Sequence, residues 1–318
     1  MTTMTRVLVV LGMVLLCAPA LADQKYDLKL NMSEGDISRY QISTTGSIKA
    51  KLPGTDPIDM PYTISMVYTQ GVKKISAKGN YVLEAKVEKM VATMMGQTTD
   101  APPDQLPDMT MLVTPKGRLL DQKGMEQVAS GFGPSAGTGG FGNMMSSFNH
   151  NCASFPEKPV SVGYTWNTDL SQLAQMFGKM SKAAACKNKF AAVETVNGRQ
   201  CARIESSVHL PLNLTGEQLG LPKGGDMKFT AQIDMTSWFT LATGNLHKSK
   251  GKVSVSGVGD VSDGNGPAQH IEFSMDFNMD VNEIAGIAAG KTASYKTPSS
   301  MLPTSSTPNK SSVIRTNG

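Results

Sequence analysis

Charge, aromatic rings and histidine are all scarce in this chain. Charged residues make up 18% of it and aromatics 6%, with only two tryptophans and four histidines. The histidines, His150, His209, His247 and His270, are scattered, none stands four residues from another, and no H-E-x-x-H occurs. A helix-borne zinc site therefore has no anchor. No G-x-x-x-x-G-K-S/T run is present, so a P-loop nucleotidase has none either. The formal net charge is +4 with its basic residues dispersed, which argues against a dedicated nucleic-acid surface. The expectation is a protein that is not an enzyme and carries no cofactor and no metal.

Long hydrophobic runs are also missing after the first one. The chain opens with Arg6, an apolar run over residues 7–16 and Ala20-Leu21-Ala22. A basic start, a short apolar stretch and an A-x-A site form a secretory leader rather than a membrane span. Cys17 follows Leu16, where a lipobox wants a small residue, so cleavage after Ala22 is expected without lipidation. Loss of Arg6 with the leader lowers the net charge from +4 to +3. The product is read as periplasmic or secreted.

What the chain has in abundance is methionine, 21 residues, set in alternating runs. Over residues 271–281, Ile271, Phe273, Met275, Phe277, Met279 and Val281 take one parity, with Glu272, Ser274, Asp276, Asn278 and Asp280 on the other. That is a long strand with one dry and one wet side. Residues 227–235 repeat it, with Met227, Phe229, Ala231, Ile233 and Met235 on the dry side. The fold class follows: all-β, mainly antiparallel, with long curved strands in an incomplete barrel or two related sheets, and one or two short helices.

Turn chemistry divides the chain into a leader (1–22), a first β half (23–130), a Gly-rich flexible loop (131–150), a second β half (151–289) and a disordered tail (290–318). Strands are expected at 26–32, 38–48, 62–69, 72–77, 81–90 and 109–114. Pro-rich loops fall at 52–61 and 100–107. Asn197-Gly198 is a hairpin turn between strands at 190–196 and 199–208. A meander of three long strands follows at 227–241, 245–261 and 268–283. Leu170, Leu173, Ala174, Phe177 and Met180 or Ser181 recur at helical spacing, so a helix is placed near 168–185 with Thr168 or Asp169 as its cap. Gly137, Gly139 and Gly142 satisfy G-x-G-x-x-G only formally, without a flanking strand and helix. The halves echo each other: Asp108-Met109-Thr110 leads to Gly117-Arg118-Leu119 as Asp234-Met235-Thr236 leads to Gly244-Asn245-Leu246. Duplication and independent turn chemistry both account for this.

Cys152, Cys186 and Cys201 remain after the leader, an odd number for an exported protein. With the hairpin turning at Asn197-Gly198, Cys201 faces Glu194 and Cys186 faces about His209, which disfavours a Cys186–Cys201 bridge. Cys152–Cys186 is the expected disulfide. The carboxylates Glu272, Asp276 and Asp280 share one strand face on which even neighbouring same-face residues are ~7 Å apart, a solvated surface rather than an acid–base pair. The thioethers of Met94-Met95, Met109 and Met111, Met144-Met145 and Met275 with Met279 admit two readings. One is a copper site, since soft sulfur selects Cu(I); the other is the adaptable filler of an apolar interior or binding surface.

Residues 155–166 (FPEKPVSVGYTW), the Asn197-Gly198 hairpin and the turn Thr243-Gly244-Asn245-Leu246 resemble an uncharacterised family of exported bacterial Met-rich β-proteins with a P-x-K-P-V-x-V-G-D-x-W stretch. Tyr164 stands where that pattern has Asp. The long-strand layout is more distantly similar to the LolA/LolB-type lipoprotein-carrier fold, an incomplete barrel with an apolar cavity. The resemblance implies no catalytic residue.

The function expected is binding of an apolar ligand, lipid or lipoprotein along a face made by Phe273, Met275, Phe277, Met279, Met227 and Phe229. The alternative is a structural or interaction component of the cell envelope with a filled core. No nucleic-acid partner and no membrane span are expected. N-terminal sequencing of the exported product should begin at Asp23; a diacylated Cys17 would contradict the leader assignment.

Overall fold

The computed structural model describes residues 24–51, 54–102, 108–123, 154–170, 185–215, 226–261 and 269–287. The leader, the Gly-rich stretch 131–150 and the tail 290–318 lie outside them. Among the described residues there is no helix, and the strands form one large antiparallel sheet that does not close into a barrel.

The strands are β1 (Ile37–Lys51), β2 (Ile58–Ile75), β3 (Tyr81–Met94), β4 (Gln97–Asp100), β5 (Asp108–Val113), β6 (Leu119–Lys123), β7 (Thr165–Asp169), β8 (Ala185–Val196), β9 (Arg199–Thr215), β10 (Asp226–Thr240), β11 (Leu246–Val261) and β12 (Gln269–Ile287). Their order across the sheet is β6-β5-β3-β2-β1-β12-β11-β10-β9-β8-β7, with β4 on β3. The first and last strands are therefore neighbours at the centre. One arm runs outward from β1 and the other runs inward to β12.

Hairpin turns explain the local order. Gly79 between β2 and β3 has φ 78°, and Asn197 and Gly198 between β8 and β9 have φ 48° and 78°. Positive φ at both central residues is what a two-residue hairpin matched to strand twist requires. The meander closes as expected, with Met235 opposite Gly251 and Gly251 opposite Met279. Register shifts at Arg39/Tyr40, Val67/Tyr68, Phe190/Ala192 and Trp238/Phe239 bend the strands and allow so wide a sheet to curl.

Several expectations need correction. Residues 26–32 form no strand; Tyr26 makes a single bridge to Val160. The runs at 62–69 and 72–77 are one strand, and β2 begins at Ile58, inside the expected loop 52–61. Pro61 is tolerated there because β3 reaches only as far as Tyr62 opposite Met94, so beyond that rung β2 is an edge. The short β4 after the Met95-Gly96 turn was not anticipated. The helix near 168–185 loses both ends, since Thr168 and Asp169 belong to β7 and Ala185 opens β8. Both caps are spoken for by sheet pairing, and 171–184 lie outside the described residues.

The segment before β1 works as a strap across one end of the curled sheet. Leu30 N donates to Pro115 O (2.7 Å) beside the β5–β6 turn, and Asn31 N donates to Thr243 O (2.8 Å) in the β10–β11 turn. Lys116 Nζ donates to Asp27 Oδ1 (2.7 Å) and Leu28 O (3.0 Å). Phe155 N donates to Lys116 O (2.7 Å), and the Phe155 ring meets Phe239 edge-on at 5.1 Å. Both arms thus converge around a cavity of about 50 Å³ bordered by Leu83 and Val113 from one side and Phe239 and Leu246 from the other.

Gly244 makes this closure possible. Its φ is 70°, and a Cβ on it would fall 2.0 Å from Lys29 O. Gly244→Ala should therefore lower stability by roughly 1–3 kcal/mol and loosen the strap. Gly54→Ala shares the positive φ of 74° but meets nothing within 4 Å, and should lose less. Urea midpoints of the two variants check the difference.

Candidate functional site

Each long strand turns one parity inward. On β12 these are Met275, Phe277, Met279 and Val281; on β10, Phe229, Ala231, Ile233 and Met235; on β11, Val253 and Val255; on β1, Tyr40, Ile42 and Ile48, all buried. Adjacent strands match row by row, so Val281, Ile42, Met66 and Met90 stand side by side across four strands. The inner face is one continuous apolar surface.

Its burial is uneven. Toward the strap and across the second arm the face is filled, and Met279 is only 2% exposed. Away from the strap, on the first arm and the adjoining start of β12, it is not. Met60, Ile64, Met66, Met90 and Phe273 are only half-buried against the core, Met94 is 37% exposed and Ile58 45%. Topology gives the reason. Among the described residues β5 pairs with β3 only from Tyr81 to Lys86, and past that rung β3 has the four residues of β4 alone. The sheet steps back, leaving an apolar ledge rich in thioethers.

The residues expected to bind ligand fall on both sides of this boundary. Met275, Phe277 and Met279 lie in the filled zone; Phe277 rests against Tyr62, with ring centroids 6.4 Å apart. Phe229 is buried, and Phe273 meets it edge-on at 6.1 Å where the filled zone gives way to the ledge. Met227 sits near the start of β10, opposite Gly259. The sequence reading missed Met60, Ile64, Met66 and Met90. Alternation put Ile64 and Met66 on one face, but Met60 fell in the expected loop 52–61, Met90 joins the inner face only through the bulge at Val67/Tyr68, and the exposure of all four depends on where β5 stops.

Polar groups on the inner face are paired. Asn188 Nδ2 donates to Thr168 Oγ1 (3.0 Å) and Ser206 Oγ donates to Asn188 Oδ1 (2.7 Å). Ser237 and Ser249 share a 2.9 Å hydrogen bond. Near the strap, the buried Glu283 carboxylate meets His247 Nδ1 at 2.9 Å and is paired with Arg199. Burial pushes the phenols of Tyr40 and Tyr68, stacked at 5.1 Å, well above the usual tyrosine range.

Cys186 and Cys201 are buried free thiols, and burial pushes Cys201 up. Cys201 faces Glu194 as expected, whereas Cys186 faces Val208 rather than His209, because the bulge at Phe190/Ala192 shifts the register. Cys152, expected to bridge to Cys186, lies outside the described residues, as do Met144 and Met145. The spacing G-x-S-x-G at Gly133, Ser135 and Gly137 also falls outside them. Among the described residues no His/Cys/Asp/Glu group could hold a metal ion. Asp276 accepts from Ser254 Oγ (2.6 Å) and Asp280 faces Lys250 at 3.9 Å, on the outward face.

No protein-family model matches the chain, and no curated protein matches it. Among solved structures it is similar to lipovitellin, described for its lipid–protein interactions, at 12% identity and a TM-score of 0.36, covering 85% of this chain and 28% of that one. The chain thus spans little more than a quarter of lipovitellin. It is similar to DynF of the dynemicin biosynthesis pathway of Micromonospora chersina at 10% identity and a TM-score of 0.20, covering 82% and 85%. A LolA superfamily protein from Nitrosomonas europaea is similar at 8% identity and a TM-score of 0.15, covering 76% and 85%. At these identities and TM-scores the likeness assigns no family, ligand or activity.

The two zones should differ in what a truncation costs. Met279→Ala should destabilise by ~2–5 kcal/mol, because the filled zone leaves a hole. Met66→Ala, beside open space, should cost less than about half of that. Chemical denaturation of both variants tests the boundary.

Proposed function

We propose that this chain is an exported, non-catalytic binding protein that shelters an apolar, chain-shaped ligand on the methionine ledge of its inner face. The observation that carries the reading is the ledge itself: Met60, Ile64, Met66, Met90 and Phe273 are inner-face apolar side chains that the protein covers only in part, on the same face as the exposed Met94 and Ile58. An apolar surface left open beside a filled core is costly unless something occupies it. Methionine suits such a place, since three rotatable bonds let one surface fit several chain shapes.

A second reading rests on the filled zone. If the inner face is simply core, the protein is a structural or interaction component of the envelope and the ledge is covered by another protein.

Native mass spectrometry of the full chain, purified without detergent, should find a lipid-like passenger. A fluorescent fatty-acyl probe should bind the wild type. Met66→Glu and Met90→Glu should weaken it by about tenfold or more, since a charge cannot enter an apolar contact unpaired. Val258→Glu, exposed on the opposite face of β11, should bind as the wild type does. A probe that never binds, or that binds all variants equally while their melting temperatures are unchanged, would leave the interaction-protein reading.

A further inference from the structure

The outward face of the second arm carries a groove of about 630 Å³ across β7, β8, β9 and β10. That volume lies within the ~300–1,000 Å³ of small-ligand sites, but the lining is unlike the ledge. Cross-strand register sets Asn167, Lys187, Ser207 and Asp234 in one row, with Thr165, Lys189 and Glu205 in the next. These belong to the wet parity and are polar, while Trp166 and Met235 also border the groove, so it offers apolar surface beside a dense set of polar groups.

The two ends of the groove differ in chemistry. At the β7–β8 end Thr165, Asn167, Lys187 and Lys189 are exposed, and none has a side-chain hydrogen bond or ion pair among the described residues. The two lysines stand ~7 Å apart along one strand face, within reach of a single anion between their ammonium groups. At the β9–β10 end the carboxylates are already oriented. Ser207 Oγ donates to Asp234 Oδ1 (2.7 Å), Gln232 Nε2 donates to Asp234 Oδ1 and Oδ2 (3.2 and 3.1 Å), and Arg203 Nη2 lies 3.5 Å from Glu205 Oε1. Held carboxylates keep lone pairs for further donors. Trp166, half-buried, borders the groove, and its indole is fixed by an Nε1–H bond to Ser154 O (2.7 Å).

We propose that this groove binds an acidic saccharide. Its anionic group lies between Lys187 and Lys189, and its hydroxyls donate to Glu205 and Asp234 and accept from Asn167. Cations without a partner among the described residues at one end call for an anion, while acceptors and an amide along the rest call for a ligand dense in hydroxyls rather than a bare ion. The site is on the opposite face from the methionine ledge and does not depend on it.

The test is an NMR titration of the isotopically labelled full chain with oligogalacturonate, maltotriose and inorganic phosphate. Oligogalacturonate should shift the amides of 165–167, 187–189, 205–207 and 234–236. Its affinity should fall about tenfold or more in the Lys187→Gln/Lys189→Gln variant and with added salt. Lys228→Gln, near the start of β10, should leave it unchanged, and maltotriose should bind about tenfold more weakly or worse. Phosphate binding as tightly as oligogalacturonate overturns the saccharide assignment in favour of a simple anion site. Equal binding of maltotriose, equal binding by the double variant, or no shift at all overturns the proposal. Because both lysines are exposed, amide shifts elsewhere in the double variant should stay as in the wild type.

Discussion

The pairing of β1 with β12 is the constraint on which the rest of the sheet depends. Fifteen rungs join them, from Ile37 opposite Ile287 to Lys51 opposite Glu272. Every other ladder in the sheet joins strands close together in the chain; this one is closed by almost the whole described chain. Without it the two arms are separate meanders, each with one apolar face and a bare central edge. Loop-closure cost rises slowly with length but contacts this distant form slowly, so the central ladder is expected to couple two locally ordered halves. Its fit is tight: a Cβ on Gly46 would lie 2.4 Å from Phe277 Cβ and 2.3 Å from Asp276 O. Glycine at Gly46 lets the ring-bearing strand approach.

Curling then decides what the apolar faces meet. The bulges bend the long strands, and the strap of residues 26–31 ties the β5–β6 turn to the β10–β11 turn. At that end the inner face packs on itself. Away from it the first arm narrows, because β5 is short and β4 shorter, and the same apolar surface is left partly uncovered. One alternating pattern thus yields a core at one end and a ledge at the other. The difference is in neighbours, not in residue type: Met279 and Met66 are the same side chain in different company.

The two faces of the sheet divide the binding chemistry. Inward parity brings thioethers and phenyl rings together; outward parity brings lysines, carboxylates and amides into rows across four strands. A strand presents both at once, so Trp166 and Asn188 lie between Thr165 and Asn167 or Lys187 and Lys189 with opposite surroundings. An apolar chain and a charged, hydroxyl-rich ligand could be held on the two sides without competing.

Much of this architecture was legible in the residues themselves. Alternation over 271–281 and 227–235 determined which side chains face inward, since a strand has period two whatever its neighbours. Asn197-Gly198 and Gly79 determined their hairpins because only such residues take positive φ at low cost. The helix near 168–185 and the strand at 26–32 failed for the opposite reason. Leu170 does have an apolar place, but Thr168 and Asp169 are claimed by β8, and Tyr26 to Asn31 find turns and loops as hydrogen-bond partners. Which strands pair across the centre, where β5 ends and so which methionines stay uncovered, and how four strands align Lys187 with Ser207 and Asp234 were decided by tertiary structure alone. Those contacts join residues far apart in the chain, and local pattern carries no information about a distant partner.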